Sequence, residues 1–232
     1  MALYALGDLH LGRDMSIFGP EWQNHEQRIV EEWKEQVRPE DTVYLLGDLS
    51  WAMRLEEALP HLKLIKSLPG RKRLLKGNHD YWWQTEKKMR AAILDEDFSL
   101  LKPEVVEGVA ICGTRGWLVP EHPLFNPETD ERVYRRELIR LERALTDLLS
   151  VRQDGEPIVV MFHFPPALPG VFTGFIELML KYGVSRCYYA HLHGPDRWKA
   201  LEGLHWGIEF HLVSGDHVAF RPVPIYTQAL PS

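Results

Sequence analysis

The sequence predicts an α/β domain with parallel strands in its first half and an antiparallel hairpin late in the chain. Three observations carry this. Short apolar runs alternate with longer amphipathic stretches from the N-terminus to about residue 94. Runs such as Thr42–Leu46 are apolar without a break, as expected of parallel strands covered on both faces. Near the C-terminus, Ser214-Gly215-Asp216 separates two strand-like runs and reads as a hairpin turn.

Taken in order, residues 1–6 form the first predicted strand. Residues 21–37 carry Trp22, Ile29, Trp33 and Val37 at helical spacing. Thr42–Leu46 is the second strand. Residues 55–68 read as a helix that Pro60 should break or reopen. A strand at 73–75 precedes a helix at 84–94, and 105–112 reads as one further strand. Residues 117–127, rich in Pro and aromatics, read as a long loop. The helix at 131–149 places Tyr134, Leu138, Leu141, Leu145 and Leu148 on one stripe. Strands are predicted at Ile158–Phe162, 187–190, 208–213 and 217–220, the last two forming the hairpin.

Composition bounds the function. A chain of 232 residues with 45% hydrophobic and 26% charged residues is an ordinary globular sequence, read here as a single domain over residues 1–232. A net charge of −6 gives no general attraction to nucleic acid or anionic membrane. The two cysteines, Cys112 and Cys187, lie in apolar runs and read as buried thiols in a reducing compartment. With no apolar stretch of membrane-spanning length and no signal peptide, a cytoplasmic enzyme is expected.

Chemistry-bearing residues cluster where the predicted strands end. Asp8-Leu9-His10, Gly47-Asp48, Gly77-Asn78-His79-Asp80, His163 and His191-Leu192-His193 follow one another along the chain. Singly, each has an ordinary structural explanation: a helix cap for Asp8 or Asp48, turn chemistry for Asn78, a core histidine for His163. Together they bring carboxylate, amide and imidazole donors to one end of a sheet, where open α/β folds place their sites.

This order closely resembles the calcineurin-like metallophosphoesterase superfamily, whose signature runs D-x-H, G-D, G-N-H-[D/E], H and G-H-x-H. The match extends from Asp8 to His193 and fills every ligand position. The resemblance implies a four-layered α/β/β/α sandwich of two mixed sheets flanked by helices. It implies two divalent ions, with Asp8, His10, Asp48 and His193 holding one and Asp48, Asn78, His163 and His191 the other. The donor types suit Mn²⁺, Fe, Zn²⁺ or Co²⁺ without choosing among them. Two carboxylates against two dications leave the centre positive, as an anionic phosphate ester requires. The implied reaction is attack of a metal-bound hydroxide on phosphorus, with His79 as general acid toward the leaving group.

Departures narrow the reading. The protein-phosphatase branch carries G-D-x-V-D-R-G at the second motif. Here Trp51 stands at its acidic position and Ala52 at its arginine. That argues against a phosphoprotein phosphatase and leaves open what orients His79. Arg54 and Arg115 are candidates for the missing phosphate contact, Trp117 for a stacking wall, and His122 for an approach from the central loop. Trp51, Trp82 and Trp83 also follow strand ends, and core packing should claim at least half of these four tryptophans. The expected substrate is a small phosphomonoester or phosphodiester. Rival readings are a nuclease of the same superfamily, opposed by the acidic balance, and a non-catalytic scaffold, opposed by the complete ligand set.

Overall fold

The computed structural model describes residues 1–226. The first half of the chain builds one sheet from β1 (Leu3–Leu6), β2 (Thr42–Leu46), β3 (Arg71–Leu75) and β4 (Phe98–Leu100), all parallel. The helices α1 (His25–Gln36), α2 (Leu55–Ser67) and α3 (Glu86–Ala92) connect them in turn. The second half builds another sheet. It starts with β5 (Glu104–Val106) and β6 (Val109–Thr114), followed by α4 (Pro127–Leu149), β7 (Ile158–Phe162), α5 (Gly174–Lys181), β8 (Val184–Tyr189), β9 (Gly203–His205) and β10 (Ile208–Leu212). Its order is β5-β6-β7-β8-β10-β9, parallel in the middle with an antiparallel strand at each edge. A short β11 (Val223–Pro224) returns to the first sheet, antiparallel to β1.

Strand alternation makes four layers out of these parts. Along β2, Val43 and Leu45 face a core shared with α1, α2 and α3, whereas Tyr44 and Leu46 face a second core. Along β7, Val159 and Met161 meet that same second core, while Ile158, Val160 and Phe162 face α4 and α5. The second core therefore lies between the sheets, and the other two lie beneath the helices. Strands buried on both faces need apolar residues at every position, which is why β2 and β7 are unbroken apolar runs. The expected sandwich of two mixed sheets flanked by helices is the observed architecture.

Several local expectations are corrected. Pro60 sits inside an uninterrupted α2. It lies on the exposed side, while Leu55, Ala58, Leu62 and Ile65 pack the opposite face and carry the helix through the lost hydrogen bond. The helix expected over 21–37 starts only at His25, because Pro20–Trp22 is a 3-10 turn and Asn24 is left-handed, with φ +54°. The strand expected at 105–112 is a hairpin, β5-β6, turning at Glu107-Gly108 with φ of +52° and +71°. The expected 208–213/217–220 hairpin does not form. β10 pairs instead with β9 through Trp206-Gly207, at φ +52° and +82°. Residues 214–220 coil through turns, with Phe220 bonding back to Gly215 and its ring buried in the first core. Strands β4, β9 and β11 and helix α5 are additions to the sequence reading.

Candidate metal centre

The parallel strands of both sheets end at the same place. Asp8 and His10 follow β1, Asp48 follows β2, Asn78 follows β3, His163 follows β7 and His191 follows β8. The chain turns sharply there. Asp8, His10, Asp48 and His191 all take left-handed backbone, with φ of +53°, +46°, +53° and +75°. Non-glycine residues rarely adopt that region, and it concentrates at functional sites. Backbone bonds hold it in place: Asp8 N–H donates to Gly47 O (3.0 Å) and His10 N–H to Asp48 O (2.9 Å).

Two glycines allow the loops to converge. A Cβ on Gly77 would stand 2.1 Å from Asp48 Oδ1. One on Gly47, at φ +91°, would stand 2.6 Å from the Gly77 backbone. Asp80 then ties the two loops together. Its fully buried carboxylate accepts from Gly77 N (2.8 Å), Asp48 N (3.0 Å), Leu49 N (2.9 Å) and Trp82 Nε1 (3.0 Å). Asp80 fills the acidic position that closes the G-N-H-[D/E] motif, the one signal in the sequence for its role as a tie between these loops.

Ligand atoms of Asp8, His10 and Asp48 all lie within 4.8 Å of one another, and all three residues are buried. Asp48 Oδ2 stands between two groups of donors, 3.9 Å from His10 Nε2 and 3.6 Å from His163 Nε2. Its other oxygen accepts from His79 N (2.7 Å). On the far side, Asn78 Oδ1 lies 2.6 Å from His163 Nε2 and 2.9 Å from His191 Nδ1. His193 lies against the His10 ring, with centroids 5.3 Å apart.

This donor set fits a divalent cation. His163 Nδ1 donates to Leu46 O (2.8 Å), which fixes the tautomer and leaves Nε2 a lone pair aimed at Asn78 Oδ1. Asp8 Oδ1 and both His10 ring nitrogens are buried without a hydrogen-bond partner among the described residues. Burial pushes the Asp8 carboxyl up to about 6, and burial with the nearby Asp80 and Asp8 raises Asp48. Burial also holds His10 and His163 well below the ordinary imidazole range and His191 down at about 3. Neutral imidazoles and carboxylates that resist ionising lack a positive charge, and a bound cation supplies it.

His79 stands beside this cluster, half-buried. Its ring lies 4.2 Å from that of Trp51, which also stacks on His10 at 5.4 Å and 28°. The Arg13 guanidinium lies over the Trp51 ring at 4.2 Å. Trp51 therefore occupies the space beside His79, at the sequence position where the phosphatase branch has its acidic residue. Arg13 was missed because it belongs to no motif; only the folded loop after β1 brings it here.

The substrate candidates divide. Arg115 packs over the Trp117 ring at 4.6 Å, and Trp117 lines a cavity of about 400 Å³ that opens on Asn78, His191 and His193. His122 lines the same cavity. Arg54 lies elsewhere, in a surface depression with Met53, Glu56, Gln84 and Lys88. Trp82 is buried in the first core and Trp83 and Trp51 pack partly buried against it, while Trp51 also touches His79 and Trp117 lines the cavity.

Comparisons with known proteins agree with this geometry. The family model described as calcineurin-like phosphoesterase matches residues 1–195. Gene 66 protein of Mycobacterium phage D29 is 40% identical over 75 residues, covering 32% of this chain and 37% of that protein. Gene 66 protein of Mycobacterium phage L5 is 38% identical over 77 residues, with the same coverage. The chain thus spans little more than a third of the curated relatives it matches. Among solved structures, phosphopantetheinyl hydrolase from Mycobacterium tuberculosis superposes with a TM-score of 0.58 at 17% identity, covering 100% of this chain and 98% of that one. A protein of unknown function from Aquifex aeolicus, AQ665, gives 0.52 at 19% identity, covering 96% and 95%. Both likenesses are of fold.

Proposed function

The chain belongs to the calcineurin-like phosphoesterase family, and from that premise we propose that it is a metal-dependent phosphoester hydrolase, cleaving a small phosphomonoester or phosphodiester at a centre of two divalent ions. The observation that carries this reading is Asp48 Oδ2, set between the His10 and His163 nitrogens at 3.9 and 3.6 Å. Asp8, His10, Asp48 and His193 would hold one ion. Asn78, His163 and His191, sharing Asp48, would hold the other. Bound ions would supply Lewis-acid polarisation of the phosphate and a water acidic enough to attack phosphorus at neutral pH.

The chain's own residues do the rest. Asp80 fixes the Asp48 and Asn78 loops through their backbone N–H groups, and Leu46 O fixes the tautomer of His163. His79 protonates the leaving oxygen. Trp51 holds its imidazole by ring contact in place of a carboxylate. Arg13, carried on the outer face of Trp51, supplies positive charge to the phosphate from that side. No helix among the described residues is long and apolar enough to cross a membrane, and we place the enzyme in the cytoplasm on its two free, buried thiols.

The test is hydrolysis of a nitrophenyl phosphodiester and the matching monoester by Mn²⁺-loaded protein, against a chelated control. Chelator-sensitive turnover of either supports the proposal. Protein that binds no metal and turns over neither would contradict it and favour the scaffold reading.

A further inference from the structure

The cavity beside the ligand cluster has a chemical character of its own. Asn78, His191 and His193 form one end of it. Beyond them its wall is apolar, built by Trp117, Val119, Phe164 and Leu168. An aromatic path leads from cavity to site: Phe164 lies 5.0 Å from Trp117 and 4.1 Å from the ligand-position ring of His191. Trp117 is held rigidly, its Nε1 donating to Asp130 Oδ1 (3.0 Å) and the Arg115 guanidinium packed over the ring.

The charged residues that line the cavity, Lys199 and Asp196, have opposite signs and face each other at 2.6 Å. His122 accepts from Leu124 N at Nδ1 (3.1 Å), the arrangement of a neutral imidazole, and its pKa is lowered by burial. A cavity of about 400 Å³ falls within the range of small-molecule sites, roughly 300–1,000 Å³.

We infer, resting on the phosphoester-hydrolysis reading, that this cavity receives an uncharged, bulky apolar ester group of the substrate, of aryl or branched-alkyl type. Its continuity with Asn78, His191 and His193 puts such a group within reach of a phosphate at the ligand cluster. The apolar wall rewards desolvation of that group, whereas a sugar phosphate or a polyphosphate chain would have to desolvate its charge against that wall. The same chemistry could belong to a monoester or to one arm of a diester.

Non-hydrolysable phosphonates test this directly. Titrated into Mn²⁺-loaded protein, naphthylmethylphosphonate should bind at least tenfold more tightly than methylphosphonate, and the uncharged, polar Leu168→Gln should shrink the gap. Trp117→Ala should shrink it, which guards against a folding failure in the first variant. In parallel, 4-nitrophenyl naphthyl phosphate is compared with 4-nitrophenyl methyl phosphate, and naphthyl phosphate with phenyl phosphate. A tenfold preference in kcat/KM for the larger member of either pair identifies the ester type. Equal phosphonate affinities with no size preference in turnover would overturn the cavity assignment alone. No phosphonate binding and no turnover of any ester would overturn the phosphoesterase reading, and the cavity assignment with it.

Discussion

The carboxylate of Asp80 accepts a hydrogen bond from the backbone N–H of Asp48, at 3.0 Å, across 32 residues of sequence. Through that contact and those to Gly77, Leu49 and Trp82, one buried side chain fixes the loops that follow β2 and β3. The two ends that carry Asp48 and Asn78 are thereby one rigid unit, and metal affinity should depend on it.

Asp80→Asn replaces an acceptor-only carboxylate, each of whose oxygens accepts at least two N–H groups, with an amide whose NH₂ faces at least two of those donors. Loss of at least about 2 kcal/mol of stability is expected, together with weaker metal binding. Urea unfolding and metal content of the purified variant check both. Unchanged metal content would show that the loops are held by other contacts.

His79 lies at the site without being an expected ligand. His79→Ala should lower kcat by about 10²–10⁴-fold, the usual contribution of a positioned proton donor, and leave metal content unchanged. Loss of metal would reassign His79 as a ligand.

Ring contact from Trp51 should position that imidazole. Trp51→Leu removes an aromatic contact worth about 1 kcal/mol, so kcat should fall by roughly fivefold, with Trp51→Phe recovering part of it. Arg13→Ala should raise KM more than it lowers kcat. Steady-state kinetics on one nitrophenyl ester separates the two effects; equal behaviour of both variants would argue against divided roles.

Away from the site, Lys72 is buried, and its ammonium donates to the Lys66 carbonyl (3.2 Å) and to that of Leu68 at the end of α2. Burial lowers its pKa to about 8, against the pull of Asp97 and Asp95. The folded value lies below the unfolded one, so the folded state binds fewer protons above pH 8, and stability should rise as pH increases from about 8 toward 10. Urea midpoints at pH 7.5 and 9.5 measure this. The rise should be absent in Lys72→Met.

The sequence made the candidate ligand positions legible because each falls at the end of a parallel strand, and such strands announce themselves as unbroken apolar runs: β2 before Asp48 and β7 before His163. The layered architecture came from the family resemblance, since periodicity alone does not say that Tyr44 and Met161 share a core between two sheets. Glu107-Gly108 and Trp206-Gly207 are two-residue turns with both residues at positive φ, and neither is the Asn-Gly or Asp-Gly pair that marks such a turn in a sequence. Pro60 was given too much weight because the apolar face opposite it was not set against the lost bond. Arg13 beside Trp51, and the cavity wall made by Val119 and Leu168, arise from loops that converge only in the fold. No spacing in the chain records such contacts.

The central claim is a two-ion centre shared through Asp48. Metal-to-protein stoichiometry, measured by equilibrium dialysis against Mn²⁺ for the wild type and for Asp48→Asn, tests it most directly. Two ions per chain in the wild type, and at most one in the variant with the fold retained and activity lost, is the expected result. Two ions and full activity in Asp48→Asn, or a single ion in an active wild type, would contradict it.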